Sequence, residues 1–146
     1  AAERLTASAP LGVIRSVSIC SHYGRAAGLV NPATACMEEV MDTSVVQGGY
    51  RLQDVAAVEC SAPGSTLHDT AEVMAAARLF PLLFEDESIS LMAAKSQLGS
   101  GHAASGLFGL MRTLEVVREE LLAGNNCLRQ LNPLFSLEGR GTRRPG

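Results

Sequence analysis

A helical stretch without a polar face limits the possible folds of this chain more than any other feature. Positions 103–111 read Ala-Ala-Ser-Gly-Leu-Phe-Gly-Leu-Met, and we predict that they lie in a helix over 102–123. A helix that is apolar or small all round is buried on every side. Gly106 and Gly109 each cost about 0.5–1 kcal/mol relative to alanine, which indicates a close backbone approach. This half of the helix therefore needs cover on both sides, whereas the charged half from Arg112 to Glu120 is expected to reach solvent.

The rest of the chain alternates between strand and helix patterns. β-Branched and alternating segments predict strands at 12–19, 54–60 and 88–93, and apolar periodicity predicts helices at 33–46 and 69–80. On the second of these helices we expect four inward side chains, namely Val73, Met74, Ala77 and Phe80. The order β-α-β-α-β-α predicts an α/β fold with a mostly parallel sheet. A single three-stranded sheet covers only one side of the last helix.

Composition excludes several classes of protein. The net charge of −3 argues against nucleic acid as a main partner, because phosphate binding needs a basic surface. The longest uncharged run, 96–111, is too short and too polar for a membrane span. Cysteines at 20, 36, 60 and 127 form no metal-binding or disulfide pattern, so we expect reduced thiols and no metal or cofactor. The sequence begins without methionine, which leaves open a processed product or a segment of a longer chain.

A second motif lies directly before the apolar stretch. Lys95 opens the run Lys-Ser-Gln-Leu-Gly-Ser-Gly-His-Ala-Ala-Ser-Gly-Leu, which ends at Leu107. This run resembles the lysine–histidine loop of a β-ketoacyl synthase, which leads into a buried helix. Four more segments resemble that family in order: Gly-Arg-Ala-Ala-Gly-Leu at 24–29, Asp-Val-Ala-Ala-Val-Glu at 54–59, the spaced residues Leu67, Asp69 and Glu72, and Leu-Asn-Pro at 131–133. Together the matches extend over most of the chain.

The resemblance implies the C-terminal half of a thiolase-like fold, as in fatty-acid and polyketide synthases. In that fold two similar halves stack in layers, and the third helix of each half lies between the two sheets. This arrangement would cover the apolar helix on both sides. We therefore expect an N-terminal extension at 1–10, a ketoacyl-synthase C-terminal-like domain at 11–135 and a flexible basic tail at 136–146.

The sequence departs from the family at both of its catalytic histidines. Without gaps, these two positions are occupied here by Ser61 and Ser100. In the family the histidines serve decarboxylation and hold the thioester oxygen, while a cysteine from the N-terminal half attacks. A serine hydroxyl does not titrate near neutral pH and cannot act there as a general acid or base. We therefore expect no catalytic residue, with Ser61, Lys95 and Ser100 as vestigial positions of a pseudoenzyme.

Several residues near these positions have a structural and a functional interpretation. Lys95 either closes a loop or is a remaining catalytic lysine, and His102 either begins the helix or replaces the missing histidine. Asp69 and Glu72 are expected to cap the second helix. The triplet Thr-Ala-Cys ending at Cys36 imitates the family's nucleophile signature, but it lies on the first predicted helix, so we interpret the match as chance.

The leading hypothesis is a non-catalytic structural or interaction subunit derived from a β-ketoacyl synthase. Protein partners would cover the apolar helix and a free sheet edge, and the interface candidates are Ala103, Gly106, Leu107, Phe108 and Leu110. An organellar respiratory or photosynthetic complex is one conceivable setting, with a plastid or mitochondrion as the compartment; a reducing intracellular compartment is otherwise expected. The alternatives are one piece of a split condensing enzyme, or a module that binds an acyl group or a carrier protein.

Overall fold

The computed structural model describes residues 10–21, 33–80, 89–122, 124–125, 132 and 134. The strand and helix elements, in chain order, are α1 (Thr34–Gln47), β1 (Ala57–Glu59), α2 (Thr66–Leu79), β2 (Ser90–Met92), α3 (Lys95–Leu98) and α4 (Ser105–Glu119), with 3₁₀ turns at Leu52–Asp54 and His102–Ala104. Strands alternate with helices, so the predicted α/β class is confirmed. None of the helices in these ranges is long and apolar enough to cross a membrane.

The two strands form a parallel sheet, and α2 makes the crossover between them. Ala57 pairs with Ser90, Val58 with Leu91 and Glu59 with Met92. The core beside this sheet contains the buried residues Ala76, Phe80 and Ile89, against which Met41, Leu52, Val55, Val58, Ala77, Leu79 and Leu91 pack. Both long N-terminal helices therefore contribute to the same small core as the sheet.

Helix boundaries follow the local sequence signals closely. α1 ends where the two glycines were expected to end it, since the Gly48 N–H bonds to the Ser44 carbonyl and Gly49 has a φ of +80°. α2 begins at Thr66, three residues before the predicted start. The expected inward position of Met74 is wrong, because this side chain is 37% exposed. Small residues instead bring α2 close to its neighbours: Ala71, Ala75 and Ala76 are buried.

The predicted first strand at 12–19 is wrong. Residues 10–21, called the N-terminal segment below, contain no strand, and Val13, Ile14, Val17 and Ile19 are 69–92% exposed. β-Branched alternation creates a strand only where a neighbouring strand completes the hydrogen-bond ladder, and among the described residues none pairs here. The segment lies against helices instead: Ser16 Oγ donates to the Ser44 carbonyl at 2.5 Å. The other two predicted strands form, but are shorter.

The apolar helix forms as α4 after a 3₁₀ turn, and the described residues cover only one side of it. Among its side chains Leu107, Leu110 and Met111 are 57%, 40% and 57% exposed, and Gly109 is the buried position. A close approach is found at Gly109, where a Cβ would lie 3.1 Å from Cγ of the Glu59 side chain; at Gly106 no atom of the described residues lies within 4 Å of such a Cβ. A covering layer on the exposed side stays a prediction.

Candidate functional site

The site lies at the C-terminal edge of the two-stranded sheet. β1 leads into Cys60 and Ser61, and β2 leads through Ala94 into Lys95, the first residue of α3. Because the strands are parallel and in register, both loops leave the sheet at the same edge. Lys95 Nζ consequently donates a hydrogen bond to Ser61 Oγ at 2.7 Å. Two of the three positions that were predicted to be vestigial are thus in direct contact, and Lys95 closes the site between the two loops.

Two carboxylates from α2 hold the loop that carries Ser61. Glu72 accepts from the backbone N–H groups of Ser61 at 2.7 Å and Ala62 at 2.9 Å, and Asp69 accepts from that of Gly64 at 3.2 Å. The predicted capping of α2 is therefore wrong for Glu72, whereas Asp69 does lie in the first turn of this helix. The reason is that α2 begins at Thr66, so Glu72 lies well inside the helix and points back to the loop. Ala62 has a φ of +34°, a conformation that needs such support.

A buried carboxylate fixes the other loop. Glu59, at the end of β1, accepts from the backbone N–H of Ala94 at 2.5 Å through Oε1. Its Oε2 lies 3.6 Å from Arg112 Nη1, and the two side chains are only 14% and 9% exposed. Arg112 also donates to the Gly124 carbonyl at 3.3 Å. The charged half of α4 was expected to reach solvent, and Arg112 contradicts this: it turns inward because Glu59 needs a counter-charge after desolvation.

The third vestigial position lies apart from the other two. Ser100 is exposed, and its Oγ accepts a 3.4 Å hydrogen bond from the His102 backbone N–H. In the described part of the chain, no hydrogen bond joins Ser100 to Ser61 or Lys95. His102 is exposed with a φ of +49°, at the first residue of the 3₁₀ turn that precedes α4. This placement agrees with its interpretation as a residue that begins the helix.

An open cavity of about 390 Å³ lies beside the Ser61–Lys95 pair. Its lining residues come from both loops and from one side of α4, namely Glu59, Cys60, Ser61, Glu72, Ala94, Lys95, Ser105, Gly106, Gly109, Leu110 and Thr113. Burial, reinforced by the nearby charges of Glu72 and Glu59, raises the pKa of Cys60 to about 12. The Cys60 thiol therefore stays protonated near neutral pH and is not a nucleophile there.

The interface candidates of the sequence lie along the start of α4. Ala103, Gly106, Leu107 and Leu110 are all exposed, and two of them, Gly106 and Leu110, line the cavity. Phe108 is half-buried because its ring packs over Gly101, where a Cβ would collide with the ring. The five candidates thus occupy different environments, and their role as a partner surface stays a prediction.

Sequence reasoning missed three polar anchors of this site. Arg112 was expected to reach solvent, the contacts of Glu59 were not predicted, and Asn125 was not considered. Asn125 accepts from the Ala93 N–H at 3.0 Å and donates to the Leu91 carbonyl at 3.2 Å, so it continues the hydrogen bonding of β2. A charged residue ending a buried strand, as Glu59 does, was the available signal for a buried partner.

Comparison with known proteins assigns this arrangement to a family. The family described as "Beta-ketoacyl synthase, C-terminal domain" matches residues 11–128. The chain therefore belongs to the β-ketoacyl synthase family through its C-terminal domain. The oxazolomycin ketosynthase domain OzmH KS8 of Streptomyces albus superposes with a TM-score of 0.62 at 28% identity, covering 72% of this chain and 28% of that one. The expected half of a thiolase-like fold is thus confirmed.

Curated relatives are polyketide synthases that are much longer than this chain. The highly reducing polyketide synthase rstn3 of Aspergillus nomiae is 28% identical over 130 residues, which is 88% of this chain and 5% of the relative. The polyketide synthase PksM of Bacillus subtilis is 25% identical over 122 residues, or 83% of this chain and 3% of the relative. The chain therefore corresponds to a small part of each of these proteins.

Proposed function

We propose that this chain is the C-terminal part of a ketosynthase domain in a polyketide synthase, and that this domain handles an acyl chain without decarboxylative condensation. The family membership and the polyketide synthases among the relatives support the first half of the proposal. In this proposal, sequence outside these 146 residues supplies the remainder of the domain. The same relatives favour polyketide synthesis over an organellar respiratory or photosynthetic assembly.

The hydrogen bond from Lys95 to Ser61 carries the second half of the proposal. Ser61 stands where the family has a catalytic histidine, and the lysine ammonium donates to its oxygen at 2.7 Å. A hydroxyl that already accepts from a cation is a poor proton acceptor, and it does not titrate near neutral pH. Losing one general acid or base typically costs about 10²–10⁴ in rate, and Ser100 removes a second.

The retained scaffold supports a continuing role in binding. Glu72 and Glu59 still hold the two loops, so the cavity of about 390 Å³ persists without the histidines. Ala94 and Leu110 give this cavity an apolar wall, which is suited to an acyl chain. A purely structural subunit would not need such a cavity, although the exposed apolar side chains of α4 would suit one.

The test uses the full-length protein that contains this chain. It is incubated with an acyl thioester and a malonyl thioester; intact-mass spectrometry measures acyl loading, and release of labelled CO₂ measures decarboxylation. We expect loading without decarboxylation above background. The double variant Ser61→His/Ser100→His should raise decarboxylation by about tenfold or more, since each histidine restores a general acid or base.

A matched control places a histidine in the same region but off the family positions. Gln97→His on exposed α3 should leave decarboxylation at background. Decarboxylation and condensation by the unmodified protein, abolished by Lys95→Ala, would contradict the non-condensing proposal and favour an active condensing enzyme. Failure to load any acyl group would instead favour the purely structural role.

A further inference from the structure

Two cysteine thiols converge on one backbone carbonyl at the junction of the N-terminal segment and α1. Cys20 Sγ donates to the Ser21 carbonyl oxygen at 3.6 Å, and Cys36 Sγ donates to the same oxygen at 3.7 Å. The two sulfur atoms therefore lie no further apart than these two distances placed end to end. The proposed acyl-handling function uses neither residue, and the Thr-Ala-Cys triplet ending at Cys36 had no assigned role.

The surroundings of the two thiols differ in a way that suits a stepwise reaction. Cys36 lies in the first turn of α1 and is 1% exposed, whereas Cys20 in the N-terminal segment is half-buried. An external oxidant therefore reaches Cys20 more easily than Cys36. The N-terminal segment is also fastened to α1 four residues before Cys20, because Ser16 Oγ donates to the Ser44 carbonyl. A disulfide needs the two Cα atoms within about 7 Å, and the shared Ser21 carbonyl oxygen already holds the two sulfur atoms near each other.

We propose that Cys20 and Cys36 form a reversible disulfide that ties the N-terminal segment to α1 when a glutathione-type disulfide is present. In the first step the Cys20 thiolate attacks one sulfur of glutathione disulfide, forming a mixed disulfide and releasing one glutathione thiolate. In the second step the Cys36 sulfur attacks Cys20 Sγ and releases the second glutathione. The protein loses two protons and two electrons, and one glutathione disulfide gains them to become two reduced glutathiones.

The third described cysteine does not compete for this reaction. Cys60 lines the cavity at the end of β1 and is 8% exposed. Burial raises its pKa to about 12, so its thiolate fraction is negligible near neutral pH. Cys60 is therefore an internal control: it belongs to the same chain and meets the same oxidant, but we expect its thiol to stay reduced.

The disulfide would change how firmly the N-terminal segment is held. Its apolar side chains, including Val17 at 75% and Ile19 at 92% exposure, bury little surface against the helices. Gly12 approaches Leu114 of α4 so closely that a Cβ would lie 3.0 Å from Leu114 Cδ2, so the segment also bridges α1 and α4. A covalent tie at its C-terminal end would restrict detachment, because a cross-link removes conformations in which the segment is released.

The experiment uses the full-length protein that contains this chain, equilibrated in buffers from fully reduced to fully oxidised glutathione. Free thiols are alkylated, and mass spectrometry maps the linked peptides. We expect a Cys20–Cys36 linkage that appears with rising oxidised glutathione and disappears on reduction. Cys36→Ser should leave Cys20 carrying glutathione, and Cys60→Ser should leave the linkage unchanged.

Limited trypsin digestion measures how firmly the disulfide holds the N-terminal segment. Arg15 lies in the exposed part of the N-terminal segment, and we expect cleavage after it to slow about threefold or more in the oxidised protein, without any change in the Cys36→Ser variant. A single glutathione on each cysteine with no internal linkage would overturn the proposal. So would a linkage that pairs either residue with Cys60 or Cys127, or an Arg15 cleavage rate that is the same in both redox states.

Discussion

At the scale of single residues, the Ser61–Lys95 contact defines the chemistry available to this site. The sequence alone named both residues as vestigial positions, and the structure brings them to 2.7 Å. It also shows why the loops around them persist: Glu72 binds two backbone amides of the Ser61 loop, and Glu59 binds the amide before Lys95. The two carboxylates therefore fix both loops that flank the Ser61–Lys95 contact.

Cys60 gives a residue-scale prediction about pH. Its pKa rises from an ordinary 9.0 to about 12 in the folded chain, so the folded state binds more protons than the unfolded state between these values. The contribution of Cys60 to stability is therefore complete below about pH 9 and is lost as the pH rises toward about 12. We expect the unmodified chain to lose roughly 1.4 kcal/mol more per pH unit in this window than Cys60→Ala.

Urea unfolding of the two proteins at about pH 8, 9.5 and 10.5 measures this difference in the free energy of unfolding. At each pH, the free energy of unfolding of Cys60→Ala is subtracted from that of the unmodified chain. The contributions of lysine and tyrosine titration, which both proteins share, then cancel. Parallel loss of stability in both proteins would show that Cys60 keeps an ordinary pKa.

At the scale of elements, the two glycines of α4 differ in packing, although glycine has the same unfavourable helix propensity at both positions. Gly109 packs against Glu59, whereas nothing lies within 4 Å of a Cβ at Gly106. Gly106→Ala should stabilise this chain by about 0.5–1 kcal/mol through helix propensity. Gly109→Ala should destabilise it by about 1–3 kcal/mol, because the methyl group presses on the buried Glu59–Arg112 pair.

Thermal melting followed by circular dichroism measures both variants, and each is the control of the other. Equal shifts in the same direction would contradict the packing described for Gly109. If Gly106→Ala stabilises this chain but weakens the full-length protein, a covering layer approaches Gly106 closely, as the sequence predicted.

The elements were predictable to the extent that their signals are local. Gly48 and Gly49 end α1 as expected, and the apolar periodicity placed the long helices within a few residues. The prediction of the first strand was wrong because strand formation depends on a neighbouring strand, which local alternation does not specify. The short helix α3 was missed because Lys95–Leu98 is a single turn within a glycine-containing loop.

At the scale of the whole molecule, the exposed apolar side chains predict association. Leu107 is 57% and Leu110 40% exposed on α4, on a helix whose sequence calls for cover on both sides. We expect the isolated chain to associate as its concentration rises, and Leu107→Glu/Leu110→Glu to shift it toward monomer without loss of helix. Val46→Glu, at a 64% exposed position of α1, is the matched control and should change nothing.

Sedimentation velocity over a range of concentrations measures this behaviour. A monodisperse monomer at every concentration would contradict the expectation that α4 needs a partner layer. Association could persist in the double variant and be lost only when the apolar side chains of the N-terminal segment are removed. This result would place the associating surface on the N-terminal segment and not on α4.

The sequence by itself determined the family and the α/β order of elements, because these are properties of residue type and spacing. That Ser61 and Ser100 replace two catalytic histidines stays a prediction. Only the tertiary structure decided that Arg112 turns inward to Glu59, that Glu72 holds a loop rather than a helix end, and that Cys20 and Cys36 meet at one carbonyl. These contacts join residues far apart in the chain. Their energies depend on burial and on which partner is within reach, and only the folded arrangement fixes both.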